Sequence, residues 1–94
     1  MNVADVGAAP PIEGTVRDSS GAPIEGARVM VVRAPAAFPD IAVLTPSDGR
    51  FSLPSAGNGE HEILVVADGY DQARVSVVPR HAQPSLEVAL TPAR

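Results

Sequence analysis

The chain has 94 residues, a length typical of one domain with one hydrophobic core. Its net charge is -4, and its seven basic residues are all arginines scattered singly, which argues against the continuous basic surface that nucleic acid requires. Because the sequence has no cysteine, it excludes disulfides, thiolate metal sites and cysteine nucleophiles. With only three aromatic residues, the core must be built from Val, Ala, Leu and Ile, which suit β-strands.

The residues at the start of the chain bear on its cellular location. Residues 1–11 lack the positive charge and the apolar stretch of a secretory signal, and no apolar run approaches the roughly 20 residues of a membrane helix. We therefore expect no membrane insertion. The location stays open between a cytoplasmic product and part of a longer exported protein or assembly.

Short apolar or alternating segments between turn residues predict strands along the whole chain. Ten prolines and eight glycines separate these segments, and helical periodicity is absent. An N-terminal arm covers 1–11, a β-sandwich domain covers 12–91 and a C-terminal tail covers 92–94. The seven predicted strands are Ile12–Arg17, Ala27–Arg33, Ile41–Thr45, Arg50–Leu53, Glu60–Ala67, Asp71–Val78 and Ser85–Thr91. Seven short strands, expected to pair antiparallel, predict an all-β sandwich.

The segment VRDSSGAPIEGARVMVV, residues 16–32, has the pattern of a hairpin. Its polar turn, Asp18–Pro23, separates two apolar strands. Glycines at 21, 26, 49 and 69 stand where turns need a positive φ. The pattern predicts that the first two strands are neighbours.

Four segments carry a resemblance to a known family. EGTVRDSSGAPIEGARVMV, TPSDGRFSLP, ILVVADGY and LEVALT resemble the carboxypeptidase regulatory-like domain of the transthyretin (prealbumin) type, from Ile12 to Thr91. The resemblance implies a transthyretin-like, seven-stranded Greek-key β-sandwich. It also implies a domain that accompanies another and supplies folding support, spacing or an interaction surface.

The same superfamily includes 5-hydroxyisourate hydrolase, whose activity requires three elements. The resemblance implies a His in the first strand, an Arg after the Asp-Gly turn and a C-terminal Tyr-Arg-Gly-Ser segment. Here Thr15 stands at the His position, Arg50 matches the Arg, and the chain ends Leu-Thr-Pro-Ala-Arg. Without the His there is no base near neutral pH to activate water, so this enzyme is the less favoured alternative. Arg50 is then a solvated charge at a strand edge.

Other chemistries find little support in the residues. The absence of Lys excludes the Lys–Asn isopeptide bond of collagen-adhesin B-type domains, and no Ser lies in a Gly-x-Ser-x-Gly elbow. The strand around His61 does not supply three zinc ligands locally, so His61 and His81 are predicted to be surface histidines. Asp68 and Asp71 are predicted turn formers, with a weak calcium site as the alternative. We predict no cofactor, no metal and no catalytic residue.

Strands two and five are apolar on both faces, which predicts a second apolar surface outside the core. The residues predicted to form it are Met30, Val32, Leu64 and Val66, with Val78 nearby. Such a surface is normally covered. We expect it to bind a protein partner, a neighbouring domain or a second copy of the chain. The alternative is that the loop Ala34–Asp40, with Phe38, folds over it.

These patterns predict a non-catalytic structural or protein-interaction module, either a subunit of a larger assembly or the companion of another domain. The apolar surface is expected to make the contact, with the N-terminal arm as a second element. The alternative from another class is carbohydrate or peptide binding by the turn loops. Phe38 and Tyr70 are its candidate exposed rings.

Overall fold

The computed structural model describes residues 11–35, 42–55, 57, 59–79 and 85–93. The described residues form strands and turns without a helix, so the all-β prediction is confirmed. The predicted N-terminal arm, apart from Pro11, lies outside the described residues, as do His81 and most of the loop that holds Phe38. The strands are β1 Ile12–Asp18, β2 Arg28–Arg33, β3 Ala42–Leu44, β4 Arg50–Leu53, β5 His61–Val66, β6 Ala73–Val77 and β7 Leu86–Leu90.

The seven strands form two sheets that pack as a sandwich. One sheet has three strands in the order β4-β1-β7, and the other has four in the order β3-β2-β5-β6. Because side chains alternate along a strand, each strand turns every second residue into the space between the sheets. The core residues that fill this space include Ile12, Val16, Val29, Leu53, Ile63, Val65, Val88 and Leu90.

The predicted pairing of the first strand was wrong in two respects. β1 and β2 belong to different sheets, and β1 pairs parallel with β7, with Val16 opposite Val88. The segment from Ala22 to Ile24 folds back onto β1, through the hydrogen bonds from Asp18 N to Ala22 O at 2.8 Å and from Ile24 N to Val16 O at 2.9 Å. Gly26, with φ of +81°, follows at the point where the chain crosses to the other sheet. A hairpin pattern therefore marked a crossover.

Asp18 closes the turn that follows β1. Its Oδ1 accepts hydrogen bonds from Ser20 Oγ at 2.7 Å, Ser20 N at 2.9 Å and Ala22 N at 3.0 Å. The hydrogen bond from the Ser20 hydroxyl, followed by that from the Ala22 amide, lowers the pKa of the Asp18 carboxyl below its ordinary value. The turn is thus held by the ionised side chain.

Replacing Asp18 by asparagine is expected to reduce the loss of folding stability as the pH falls. Because the folded pKa is lowered, the ionised carboxylate contributes stability above its unfolded pKa of about 3.9, and that contribution is lost as the pH falls through the folded value. The measurement is the urea midpoint between about pH 5 and pH 2. The exposed Asp71→Asn variant is the control. If the urea midpoints of wild type and Asp18→Asn fell by the same amount over this pH range, the carboxylate would not have this role.

Candidate functional site

The central strands of the four-stranded sheet bring the predicted apolar residues together on the side away from the core. Ile63 and Val65 of β5 point inward and are fully buried, so Leu64 and Val66 point outward and are half-buried. On β2, Met30 also points outward and lies directly opposite Leu64. Cross-strand partners of this kind are in contact distance. Met30 and Leu64 therefore form the centre of an apolar patch.

The short strand β3 extends this patch on one side. Ala42 lies opposite Met30, and Leu44 lies opposite Arg28, with 66% of Leu44 exposed. Neither residue was among those predicted, because the faces of the third strand were not assigned from the sequence, although the inward Val43 between them carries that signal. Together these residues form the outer apolar face, which consists of Met30, Val32, Ala42, Leu44, Leu64 and Val66.

Val32 and Val78 lie toward the opposite end of this face. Both are exposed, Val32 to 43% and Val78 to 39%. Val32 lies at an irregularity in the pairing of β2 with β5, and Val78 follows the last residue of β6. The structure thus places both at the margin, whereas Met30 and Leu64 lie in the middle and Val66, the last residue of β5, lies at the end near Arg28. Binding of a partner by these five residues stays a prediction.

Charged side chains surround the apolar centre. The irregularity in β2 makes Arg33 the register partner of Glu62, and partners in an antiparallel pair share a face. Glu62 forms an ion pair with Arg74 of β6 at 3.2 Å. Arg28, exposed, lies opposite Val66. An exposed ion pair adds little to stability, so these charges bear mainly on what the face can bind.

The outward side of the three-stranded sheet is polar. Arg17 forms an ion pair with Glu87 at 3.0 Å across β1 and β7. A groove of about 410 Å³ is lined by Glu13, Gly14, Arg50, Phe51, Ser52 and Ser85. Thr15 lies opposite Arg50, so the two positions compared with the hydrolase are neighbours. The groove carries a carboxylate and a guanidinium but no imidazole among these lining residues.

His61 contradicts the prediction of a surface histidine. It is fully buried, on the inward face of β5 beside Ile63. Its Nδ1 donates to the carbonyl oxygen of Gly59 at 2.8 Å, since a carbonyl can only accept. That bond satisfies a polar atom in the core, which makes burial tolerable. Over the part of the chain that the structure describes, no three His, Cys, Asp or Glu residues form a group able to hold a metal ion.

The alternative function, carbohydrate or peptide binding by the turn loops, is expected at the turns at one end of the sandwich. A cavity of about 410 Å³ is lined by Pro23, Ile24, Glu25, Gly26, Ala67, Asp68 and Tyr70. Tyr70 is half-buried and packs against the core, and its backbone bridges to Pro92. Asp71 N donates to Thr91 O at 2.8 Å in the same corner. Tyr70 is thus a corner residue, and carbohydrate or peptide binding at these turns stays a prediction.

Comparison with known proteins identifies a family for nearly the whole chain. The family model described as carboxypeptidase regulatory-like domain matches residues 11–91. The family is one of non-catalytic domains. A search of curated proteins found none that matches the chain. In the described ranges there is also no helix long and apolar enough to cross a membrane.

Proposed function

We propose that this chain, which belongs to the carboxypeptidase regulatory-like domain family, is a non-catalytic accessory module that binds protein through its outer apolar face. The observation that carries the proposal is the apolar centre formed by Met30 opposite Leu64 on the side away from the core. An antiparallel sheet with one face in water normally alternates apolar and polar residues. A contiguous apolar surface on its outer side is typical of an interface.

The two outward faces of the sandwich differ in a way that supports this proposal. The three-stranded sheet presents polar side chains outward, including Arg17, Ser52 and Glu87. At the corresponding outward positions of β2 and β5 the four-stranded sheet has Met30 and Leu64. Solvent alone would favour polar residues on both faces. The contrast therefore supports a covered surface on the four-stranded sheet only.

The composition of the face favours a protein as the occupant. Methionine and arginine are enriched at protein interfaces, and a typical interface has an apolar centre with a polar rim. Here Met30 lies at the centre, while Arg28 and Arg74 are exposed around it. A flat, aromatic-free surface of this kind offers no stacking platform for sugars. The occupant is a neighbouring domain, another protein or a second copy of the chain.

A photo-activated cross-linking residue at position 64 is expected to join the chain to a discrete partner in cells that produce it. The matched control places the same residue at Ser52, which is exposed on the outward side of the other sheet. We expect a single adduct band from position 64 and none of that mass from position 52. A neighbouring domain of the same chain would instead give an internal cross-link from position 64, which peptide mapping detects. The same cross-links from both positions, or none from either, would overturn the proposal.

A further inference from the structure

Across the seam between β2 and β5, the pairing register sets complementary outward side chains opposite each other. Three pairs of outward residues face each other across it: Met30 with Leu64, Arg28 with Val66, and Arg33 with Glu62. One pair joins apolar to apolar side chains, and one joins opposite charges. The third sets an arginine, whose methylene stem can pack on apolar surface, beside a valine. Each of these three β2 residues thus has a suitable neighbour on β5.

This register makes the central seam of the outer apolar face, between β2 and β5, self-complementary. Two sheets that pack face to face lie about 10 Å apart with nearly aligned strands. If a two-fold axis runs along the seam, β2 of one copy lies over β5 of the other, and residues at the same height meet. Met30 then meets Leu64 of the second copy, and Arg33 meets Glu62 of the second copy. A two-fold interface requires this self-complementarity.

From this register we infer that the occupant of the outer apolar face is a second copy of this chain, packed about a two-fold axis parallel to β2 and β5. The inference rests on the proposed function, since it names the partner of the same surface. Charge complementarity carries it: the two Arg33–Glu62 pairs lie together at one end of an apolar centre formed by Met30 and Leu64 from both copies. Glu62 keeps its contact with Arg74, which lies on the outer side of β6.

The size of the face sets the expected strength of the dimer. Four strands about 4.8 Å apart, presenting about five residues each, give a footprint of roughly 350 Å² per copy. The two copies together then bury about 700 Å², which is less than most specific interfaces bury, so association is expected to be weak and reversible. The dissociation constant is therefore expected in the micromolar range.

Sedimentation velocity of the purified chain tests the dimer directly. Between about 1 and 500 µM we expect the mass to rise from 9.6 kDa toward twice that value. Leu64→Glu is expected to weaken the dimer about tenfold or more by placing charge at the apolar centre, whereas Ser52→Glu on the other sheet leaves it unchanged. Circular dichroism and thermal unfolding of each variant establish that it is folded.

Charge reversal tests the axis. Arg33→Glu and Glu62→Arg each place like charges across the interface and are expected to weaken self-association about tenfold or more. An equimolar mixture of the two variants restores two opposite-charge pairs, so it is expected to dimerise as the wild type does. A mixture that stays monomeric while the wild type dimerises would overturn the two-fold arrangement.

The dimer and the proposed function can fail separately. A wild-type chain that stays monomeric throughout the concentration range would overturn the second copy as occupant. If position 64 then still cross-links to a different protein, the proposed function stands. If the chain is monomeric and position 64 yields no adduct, both fail.

Discussion

Replacing Thr45 by valine is expected to lower the free energy of unfolding by about 2–4 kcal/mol. The Thr45 side chain is 3% exposed, and its Oγ1 donates to Ile24 O at 2.7 Å and accepts from Ala27 N at 2.9 Å. Valine has nearly the same shape but can do neither. Both backbone groups would then be buried without a partner, and each costs about 1–3 kcal/mol.

The serine variant separates the hydroxyl from the shape of the side chain. Thr45→Ser keeps both hydrogen bonds and loses one methyl group, so its expected cost is about 1 kcal/mol. Chemical denaturation of the two variants and the wild type gives the comparison. Equal losses for valine and serine would mean that packing of the methyl group, not the two hydrogen bonds, accounts for the role of Thr45.

The expected size of this effect follows from the position of Thr45 in the fold. Backbone hydrogen bonds also join it to the crossover, from Gly26 N to Thr45 O at 2.8 Å and from Thr45 N to Ala27 O at 2.9 Å. Thr45, the first residue after β3, therefore fixes the chain at the point where it passes from one sheet to the other. Because β2 begins directly after Ala27, this junction also positions the central strand of the outer apolar face.

Replacing Gly49 by alanine is expected to cost about 2–4 kcal/mol, the second large effect. Its φ is +74°, a conformation that costs an L-residue about 1–2 kcal/mol. An added Cβ would also lie 2.5 Å from the carbonyl oxygen of Val16, which belongs to the backbone of β1. Since the Val16 amide donates to Gly49 O at 2.8 Å, the two backbones cannot separate without losing that bond.

Gly21 provides the control for this prediction. Its φ of +93° is similar, but an added Cβ would meet nothing within 4 Å. Gly21→Ala should therefore cost only the conformational part, about 1–2 kcal/mol. Thermal or denaturant unfolding of both variants distinguishes the two contributions. If Gly21→Ala costs as much as Gly49→Ala, close approach of the backbones plays no part.

The strand boundaries could be predicted because a period of two residues is a local property. The segment Arg50–Leu53 was placed correctly, and β5 falls within the predicted Glu60–Ala67. Which sheet a strand joins is not local. β1 pairs with β7 across more than sixty residues, and neither strand carries a mark of the other or of the parallel direction. The first turn looked like a hairpin for the same reason.

The part of the candidate site that depends on β2 and β5 could be predicted from the sequence. The part that depends on a third strand, or on the irregularity in β2, could not. Met30 and Leu64 follow from alternation once β2 and β5 are neighbours. Leu44 required the knowledge that β3 lies beside β2. The pairing of Arg33 with Glu62 required the irregularity in β2, which shifts the register by one residue. No residue type announces such a shift.

The prediction for His61 was wrong because the general preference of histidine for the surface was given more weight than the alternation along the strand. Alternation along the strand puts His61 on the side opposite Glu62, but its polarity favoured the prediction of a surface residue. In the structure the His61 Nδ1–H donates a hydrogen bond to the carbonyl oxygen of Gly59, which removes most of the cost of burial. The partner lies only two residues away, yet the turn that brings it within 2.8 Å depends on the surrounding fold.

The sequence by itself determined the class of fold, the positions of the strands and the family, because apolar alternation, turn residues and their spacing are written along the chain. The tertiary structure alone decided the assignment of strands to sheets, the parallel pairing of β1 with β7, and the register that sets Met30 against Leu64 and Arg33 against Glu62. The physical reason is range. Strand formation depends on neighbouring residues, whereas pairing depends on how all seven strands share one core.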